Sequence, residues 1–478
     1  MNKLNRREFL RISALAAAGA ALAGCGPKAT PVPATEEPKA PEPTQAPPIE
    51  EPKAPEPTQA PPSEEGFTIQ YWVGWGANYG EIWDELKKTD EFKELIGPND
   101  LEVRGSMGED AFLTAIAGGT PPDGASNISY VDYMARGVLL PMGDMVATSS
   151  LIKEEDFIEI NWDMGFYEGV QYGVPANECF VQFGVNYNIR LIEEAGLDPE
   201  NPPVTWDDWL VWHEALTEFD GAGNLVQIGL DPTDAMGEGI WGYLPWMVSS
   251  SWGFEWFDAE AGKFDFDNEH VIDSFKTFKE FIDMMGGMDN LGALRSVEGQ
   301  GTWGGSYNAE VQAAIIEGYW HPGETKQEKP EILEYNRATW LPVPESRRGV
   351  KVQGAGGHLV CILKEAQHPN EMFQIAEFLN TKMACDVIFA TAGWLPALKS
   401  YIEQVDPSPL PGLDFYFRSV DEATEWYGPS NCPIGSFIDS NYSWDLREKV
   451  FRDEMTAEEA AAELQKRVEQ EWIDAGFG

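Results

Sequence analysis

From residue 67 onward the sequence predicts an α/β fold, on three observations. Residues 67–73 (FTIQYWV) alternate and are rich in β-branched and aromatic side chains, as expected of a strand with one face on a core. Residues 81–95 then place Ile82, Leu86, Phe92 and Leu95 at helical spacing and stop at Gly97-Pro98. The same strand-then-helix grammar recurs downstream. Such alternation predicts a parallel sheet covered by helices on both faces.

The elements follow in order. Leu101-Glu102-Val103 reads as a second strand, and residues 110–117 as a helix closed by Gly118-Gly119. Residues 124–128 form a third strand-like segment before a helix over 131–136. Ligands of such sheets sit at the carboxyl ends of strands, which puts Trp75-Gly76 and Ser126-Asn127 on one rim. Thr205 is a good N-cap for a helix opening at Trp206. Residues 271–284 are amphipathic through Val271, Ile272, Phe275, Phe278, Phe281 and Ile282, and 309–318 and 371–379 read as helices of similar type. Residues 358–363 (HLVCIL) are apolar enough for a central strand. The last helix, 456–472, opens on a capping box, Thr456 with Glu459. Asp220-Gly221-Ala222-Gly223-Asn224 and Asp265-Phe266-Asp267 lack the spacing and terminal Glu of a calcium loop. They read as a hairpin turn and as a strand leading to a helix cap.

The amino terminus carries an address. Asn5-Arg6-Arg7-Glu8-Phe9-Leu10-Arg11 is followed by an apolar run, 12–22, shorter than the roughly 20 residues of a membrane span. The arginine pair resembles a twin-arginine export signal, and Leu22-Ala23-Gly24-Cys25 resembles a lipoprotein lipobox. Residues 1–24 are therefore expected to be a removed signal and Cys25 a lipidated first residue. Residues 26–65 have no apolar periodicity, and EEPKAPEPTQAPP at 36–48 recurs at 50–62. Such a segment buries too little apolar surface to offset ordering, so 25–65 reads as a solvated stalk holding a domain away from a membrane.

Charge and cysteine content exclude several classes. The formal net charge is −47, and the signal's excess of basic residues makes the processed chain more acidic still. Nucleic-acid binding needs cationic groups facing phosphates, so it is excluded. The acidity fits a solvated surface or a preference for neutral or cationic solutes. Cys179, Cys361, Cys385 and Cys432 allow three disulfide pairings, and the body is large enough to need none. No CxxC or Cys/His ligand spacing occurs, and His213, His270, His321, His358 and His368 are scattered, so neither a metal nor any other cofactor is expected.

Several ordered motifs resemble one family. They include Ala117-Gly118-Gly119-Thr120-Pro121-Pro122-Asp123, Ala135-Arg136-Gly137-Val138-Leu139-Leu140-Pro141 and Tyr172-Gly173-Val174-Pro175. Asn186-Tyr187-Asn188, Glu194-Ala195-Gly196-Leu197 and Pro202-Pro203-Val204-Thr205-Trp206 continue the order. Glu317-Gly318-Tyr319-Trp320, Gly356-Gly357-His358 and Gly393-Trp394-Leu395-Pro396-Ala397 complete it. Residues 67–478 resemble the extracellular solute-binding proteins of ABC transporters, in the carbohydrate-binding group that includes maltose-binding protein. The segment before Ala309 departs from that group's Gly-Lys-Ala-Ala-Met pattern, which leaves contacts from 303–308 open.

The resemblance implies a periplasmic-binding-protein-like fold, two α/β lobes with a hinge and a ligand cleft between them. It places one lobe at 66–177 and 346–392 and the other at 178–345 and 393–478. It also implies a lipid-anchored, extracytoplasmic monomer that captures a neutral mono- or oligosaccharide and delivers it to an ABC permease. The membrane is met through the lipid anchor only. A polyamine or peptide in the same fold, and a secreted carbohydrate-degrading enzyme, are the alternatives; no hydrolase motif is present.

Sugar rings offer apolar C–H faces for aromatic stacking and hydroxyls for fixed donors and acceptors. Of 18 tryptophans, Trp75, Trp246, Trp252, Trp303, Trp320 and Trp394 fall at predicted loops, as stacking platforms or as core or interlobe packing. Trp206, Trp209 and Trp212 belong to a core helix. Glu178 offers a hydroxyl acceptor or a hinge ion pair, and Asn127 a donor and acceptor or an Asx turn. His358 reaches the cleft or is a structural histidine. The glycines of 354–357, Gly356 among them, let backbone N–H groups approach a ligand. The expected ligand-binding set is Trp75, Asn127, Glu178, Trp246, Trp320, Gly356, His358 and Trp394, with no catalytic or metal residue.

Overall fold

The computed structural model describes residues 66–76, 79–233, 244–296, 304–428 and 430–478. The expected signal, Cys25, the stalk and Trp303 lie outside them.

Thr68–Val73 pairs in parallel with Asp100–Arg104 on one side and Gly124–Ser126 on the other. Leu359–Ile362 continues the sheet antiparallel to Gly124–Ser126, and Gly173–Pro175 closes it antiparallel to Leu359–Ile362. This sheet is therefore mixed, where a parallel one was expected. The physical reason is that the chain leaves along Gly173–Pro175, builds a second sheet, and returns into Leu359–Ile362 from the far end. Such strands need no helical crossover. The second sheet orders Asn336–Thr339, Val185–Asn188, Gln312–Ile316, Leu225–Leu230 and Glu218–Phe219.

Two further expectations are corrected. Residues 309–318 are not a helix: Gln312–Ile316 is a strand between Val185–Asn188 and Leu225–Leu230, every residue of it buried. A short apolar run has no period to separate helix from strand, and burial on both faces selects the strand. Residues 81–95 form two helices, Tyr79–Leu86 and Asp90–Ile96, because the Thr89 side chain caps the second by accepting from Phe92 N. The capping boxes at Thr205 and Thr456 form as expected, and Asp220 to Asn224 closes a hairpin.

Each sheet has its own core. Ile69, Tyr71, Val73, Trp83 and Ile388 pack around the first, and Phe183, Ile228, Phe275, Phe278 and Leu464 around the second. Trp206, Trp209 and Trp212 lie in the second core. So does Trp252, which stacks on Trp206 at 5.5 Å and is no loop platform. After Gly393, Leu395, Ala397, Leu398, Leu410 and Leu413 pack in the first core, and Tyr427, Cys432, Ile434 and Ile438 pack with the second.

Between the sheets, residues 176–183 and 353–358 run antiparallel as a paired crossing. Ala176 N donates to His358 O at 3.0 Å, His358 N to Glu178 O at 2.7 Å and Gln182 N to Gly354 O at 2.7 Å. Asn161 Nδ2 braces the pair through Gly356 O at 2.9 Å. A third strand of chain joins it, with Cys179 N donating to Leu395 O at 2.8 Å. Cys179, Cys361, Cys385 and Cys432 are buried free thiols. Among the described residues no helix is long and apolar enough to cross a membrane.

Candidate functional site

The crossing is the floor of a cavity of about 480 Å³, whose walls come from both sheets. Trp75 and Asn127 stand just past the ends of Thr68–Val73 and Gly124–Ser126, where strand carboxyl ends gather ligand-facing groups. Tyr130 fixes that rim: its hydroxyl accepts from Asn127 N at 2.7 Å and from Leu359 N at 2.9 Å. Asn127 turns there through a left-handed backbone, φ 50°. Trp320 and Glu324 come from the segment after Gln312–Ile316, and Trp246 packs its ring 5.2 Å from Phe183. Glu178, Gln182, Gly356 and His358 rise from the crossing itself. Trp394, from the third segment, meets the His358 ring edge-on at 5.9 Å. Ser129 and Ser436 bring their hydroxyls within 2.9 Å from opposite sides.

The structure thus places all eight nominated residues, Trp75, Asn127, Glu178, Trp246, Trp320, Gly356, His358 and Trp394, on one wall system. The crossing glycines have a steric role within the protein. A Cβ on Gly354 would strike the Phe183 ring, and one on Gly356 the Gln182 side chain, so they admit the neighbouring strand. Sequence reasoning missed Tyr130, Gln182, Glu324 and the 430–439 segment, which carries Ser430, Cys432 and Pro433 to the wall. Only Glu324 had a sequence signal, three residues beyond His321 and four beyond Trp320.

Burial governs the electrostatics. It pushes the Glu178 carboxyl up to about 8, with the buried Glu317 charge adding to the rise. It pulls His358 down to about 4. Glu178 Oε2 and His358 Nε2 lie 3.6 Å apart, yet desolvation outweighs their attraction and favours both neutral forms. Burial likewise raises Glu324 well above the carboxyl range, with Glu317 and Glu178 contributing.

Beside the cavity Glu317, His321 and Glu324 are all buried, with ligand-type atoms within 4.8 Å of one another. The i, i+4, i+7 spacing brings His321, isolated from the other histidines in sequence, together with two carboxyls. His321 Nδ1 contacts Glu317 Oε2 directly, and Thr325 Oγ1 lies 3.4 Å from His321 Nε2.

A family description, bacterial extracellular solute-binding protein, matches residues 74–384. The chain belongs to that family. Among solved structures, the solute-binding protein is similar to CpMnBP1 with mannotriose bound: TM-score 0.73, 18% identity, covering 84% of this chain and 100% of the other. It is also similar to the ABC substrate-binding protein Lmo0181 from Listeria monocytogenes in complex with cycloalternan, with TM-score 0.68, 17% identity, and coverage of 86% and 100%. The sugar-binding protein MalE from Xanthomonas citri gives 0.64, 18%, 86% and 100%. These likenesses establish the two-lobed α/β fold of the solute-binding protein. No curated protein matches it by sequence.

Proposed function

We propose that this solute-binding protein is tethered outside the cell membrane by a lipidated Cys25, captures a carbohydrate in its cavity, and presents it unaltered to an ABC permease. One observation supports this most: four tryptophans and a set of buried acceptors, drawn from both sheets and their crossing, converge on one cavity. Aromatic faces suit the C–H side of a sugar ring, and Asn127, Glu178 and His358 suit its hydroxyls. The carbohydrates held by structural neighbours such as CpMnBP1 agree with it.

The mechanism proposed is a hinged trap working as a monomer. Ligand favours closure only through extra affinity for the closed form. A cavity walled by Trp75 and Asn127 on one side and by residues 430–439, which dock on the second core, on the other gives that difference, and the crossing is the natural hinge. Small-angle scattering is expected to show the radius of gyration falling when saturating ligand is added, with the ligand recovered chemically intact. Unchanged dimensions argue against the trap, and hydrolysed ligand argues for an enzyme.

Anchoring follows from the lipobox. Two acyl chains hold a membrane where one is marginal. Mass spectrometry of the membrane fraction is expected to find a diacylated Cys25 as first residue, and Cys25→Ala to abolish that species. A normally processed, unmodified Cys25 would refute the anchor.

A further inference from the structure

Two carbonyl-type acceptors on the cavity wall lack a hydrogen-bond partner among the described residues. Glu324, 1% exposed, has no hydrogen bond to Oε2 among the described residues, and Gln182, 8% exposed, has none to Oε1. His358 leaves Nδ1 unpartnered. Its Nε2 lies 3.6 Å from Glu178 Oε2, too far for a hydrogen bond. Acceptors alone would suit hydroxyls as well as an amine, so charge decides between them.

The charges on the wall divide into answered and unanswered. Asp132 is paired with Arg136 at 2.7 Å, and Asp439 has Arg447 within electrostatic reach. Among the described residues, no lysine or arginine lines the cavity or pairs with Glu178 or Glu324. Behind Glu324 stands a third buried carboxyl, Glu317, in contact with the His321 ring. Buried carboxyls ordinarily hold a paired cation or take up a proton. Burial, with Glu317 adding to it, pushes the Glu178 carboxyl up to about 8.

We propose that the ligand is a saccharide carrying a primary amine, whose ammonium group is held by Glu178 and Glu324 and takes the place of the missing cation. This rests on the carbohydrate reading above. An ammonium brings three donors to the acceptor oxygens of Glu178, Gln182 and Glu324, and charge-assisted hydrogen bonds are roughly twice as strong as neutral ones. The tryptophan faces around it favour a cation as well.

The test is calorimetry on the full processed protein with matched probes: glucose and glucosamine, then the β-1,4 trimers of glucose, glucosamine and N-acetylglucosamine, with spermidine as a sugarless amine. The amine member of a pair is expected to bind at least tenfold tighter than its hydroxyl or N-acetyl counterpart. That preference is expected to fall below twofold in Glu178→Gln or Glu324→Gln. Neutral sugars binding as tightly as amino sugars would overturn this inference and leave the carbohydrate reading standing. Spermidine binding with no saccharide bound would overturn both, as would failure of every probe. A preference retained in both variants would remove the two carboxyls from the ammonium site. Metal analysis closes the last route: a stoichiometric divalent ion copurifying with the protein would supply the missing charge through Glu317, His321 and Glu324, and would overturn the proposal.

Discussion

Gly357→Ala is expected to destabilise the protein by about 4 kcal/mol and to loosen the cavity floor at the same time. Gly357 holds φ at +131°, a conformation that costs a side-chain-bearing residue about 1–2 kcal/mol. A Cβ there would sit 2.2 Å from Glu178 O and 2.5 Å from Cys179 Cα. Both are backbone atoms of the facing crossing segment, so no rotamer change relieves them, and overpacking adds typically 1–3 kcal/mol. The strands can only move apart. That would stretch the His358 N to Glu178 O bond of 2.7 Å and shift both side chains on the cavity floor. Gly196→Ala separates the two causes, because Gly196 has φ +76° with nothing within 4 Å of its would-be Cβ. It is expected to lose only about 1 kcal/mol. Urea unfolding of the two variants checks the claim, and equal losses would show that the close approach contributes nothing.

The same crossing shows where the sequence was legible and where it was not. Trp75 and Asn127 were readable because each follows a strand, and strand carboxyl ends collect ligand-facing groups whatever the rest of the chain does. Glu178, Trp320, His358 and Trp394 were readable only through motif order. Gln182 and Tyr130 carry no local signal. Gln182 faces the cavity because its strand pairs with residue 354, and Tyr130 because its hydroxyl is tied to Leu359 across a large sequence separation. Cys432 and Pro433 reach the wall by docking with the second core, which no local pattern encodes. Residues 309–318 failed for a different reason. Ala313, Ala314, Ile315 and Ile316 are apolar without a period, and the sheet neighbours rather than the run itself decide its form. Trp252 ends a helical run, Leu244–Val248 followed by Ser249–Trp252, and takes the core alternative rather than the platform.

Glu178→Gln is expected to stabilise the ligand-free protein progressively as pH rises. The folded-state pKa of Glu178 is raised to about 8 from 4.5, first by burial and then by Glu317. Between those values the folded protein binds a proton that the unfolded chain has released, so stability falls with increasing pH across that window. The contribution is fully present below pH 4.5 and lost by the time pH passes 8. A glutamine keeps the shape and cannot ionise, so it escapes the loss. One pKa unit corresponds to about 1.36 kcal/mol, so the advantage of the variant grows to the order of 4 kcal/mol above pH 8 and vanishes near pH 4. His358 works in the opposite sense. Its pKa is depressed to about 4 from 6.5, so its contribution is present above pH 6.5 and disappears as pH falls toward 4. Parent and variant share that second effect, which is why the difference between them isolates Glu178. Urea midpoints for both proteins at pH 4.5, 6.5 and 8.5 provide the measurement. A stability difference flat across the three values would mean that Glu178 is already answered by a charge within the protein, and the case for a cation brought by the ligand would fall with it.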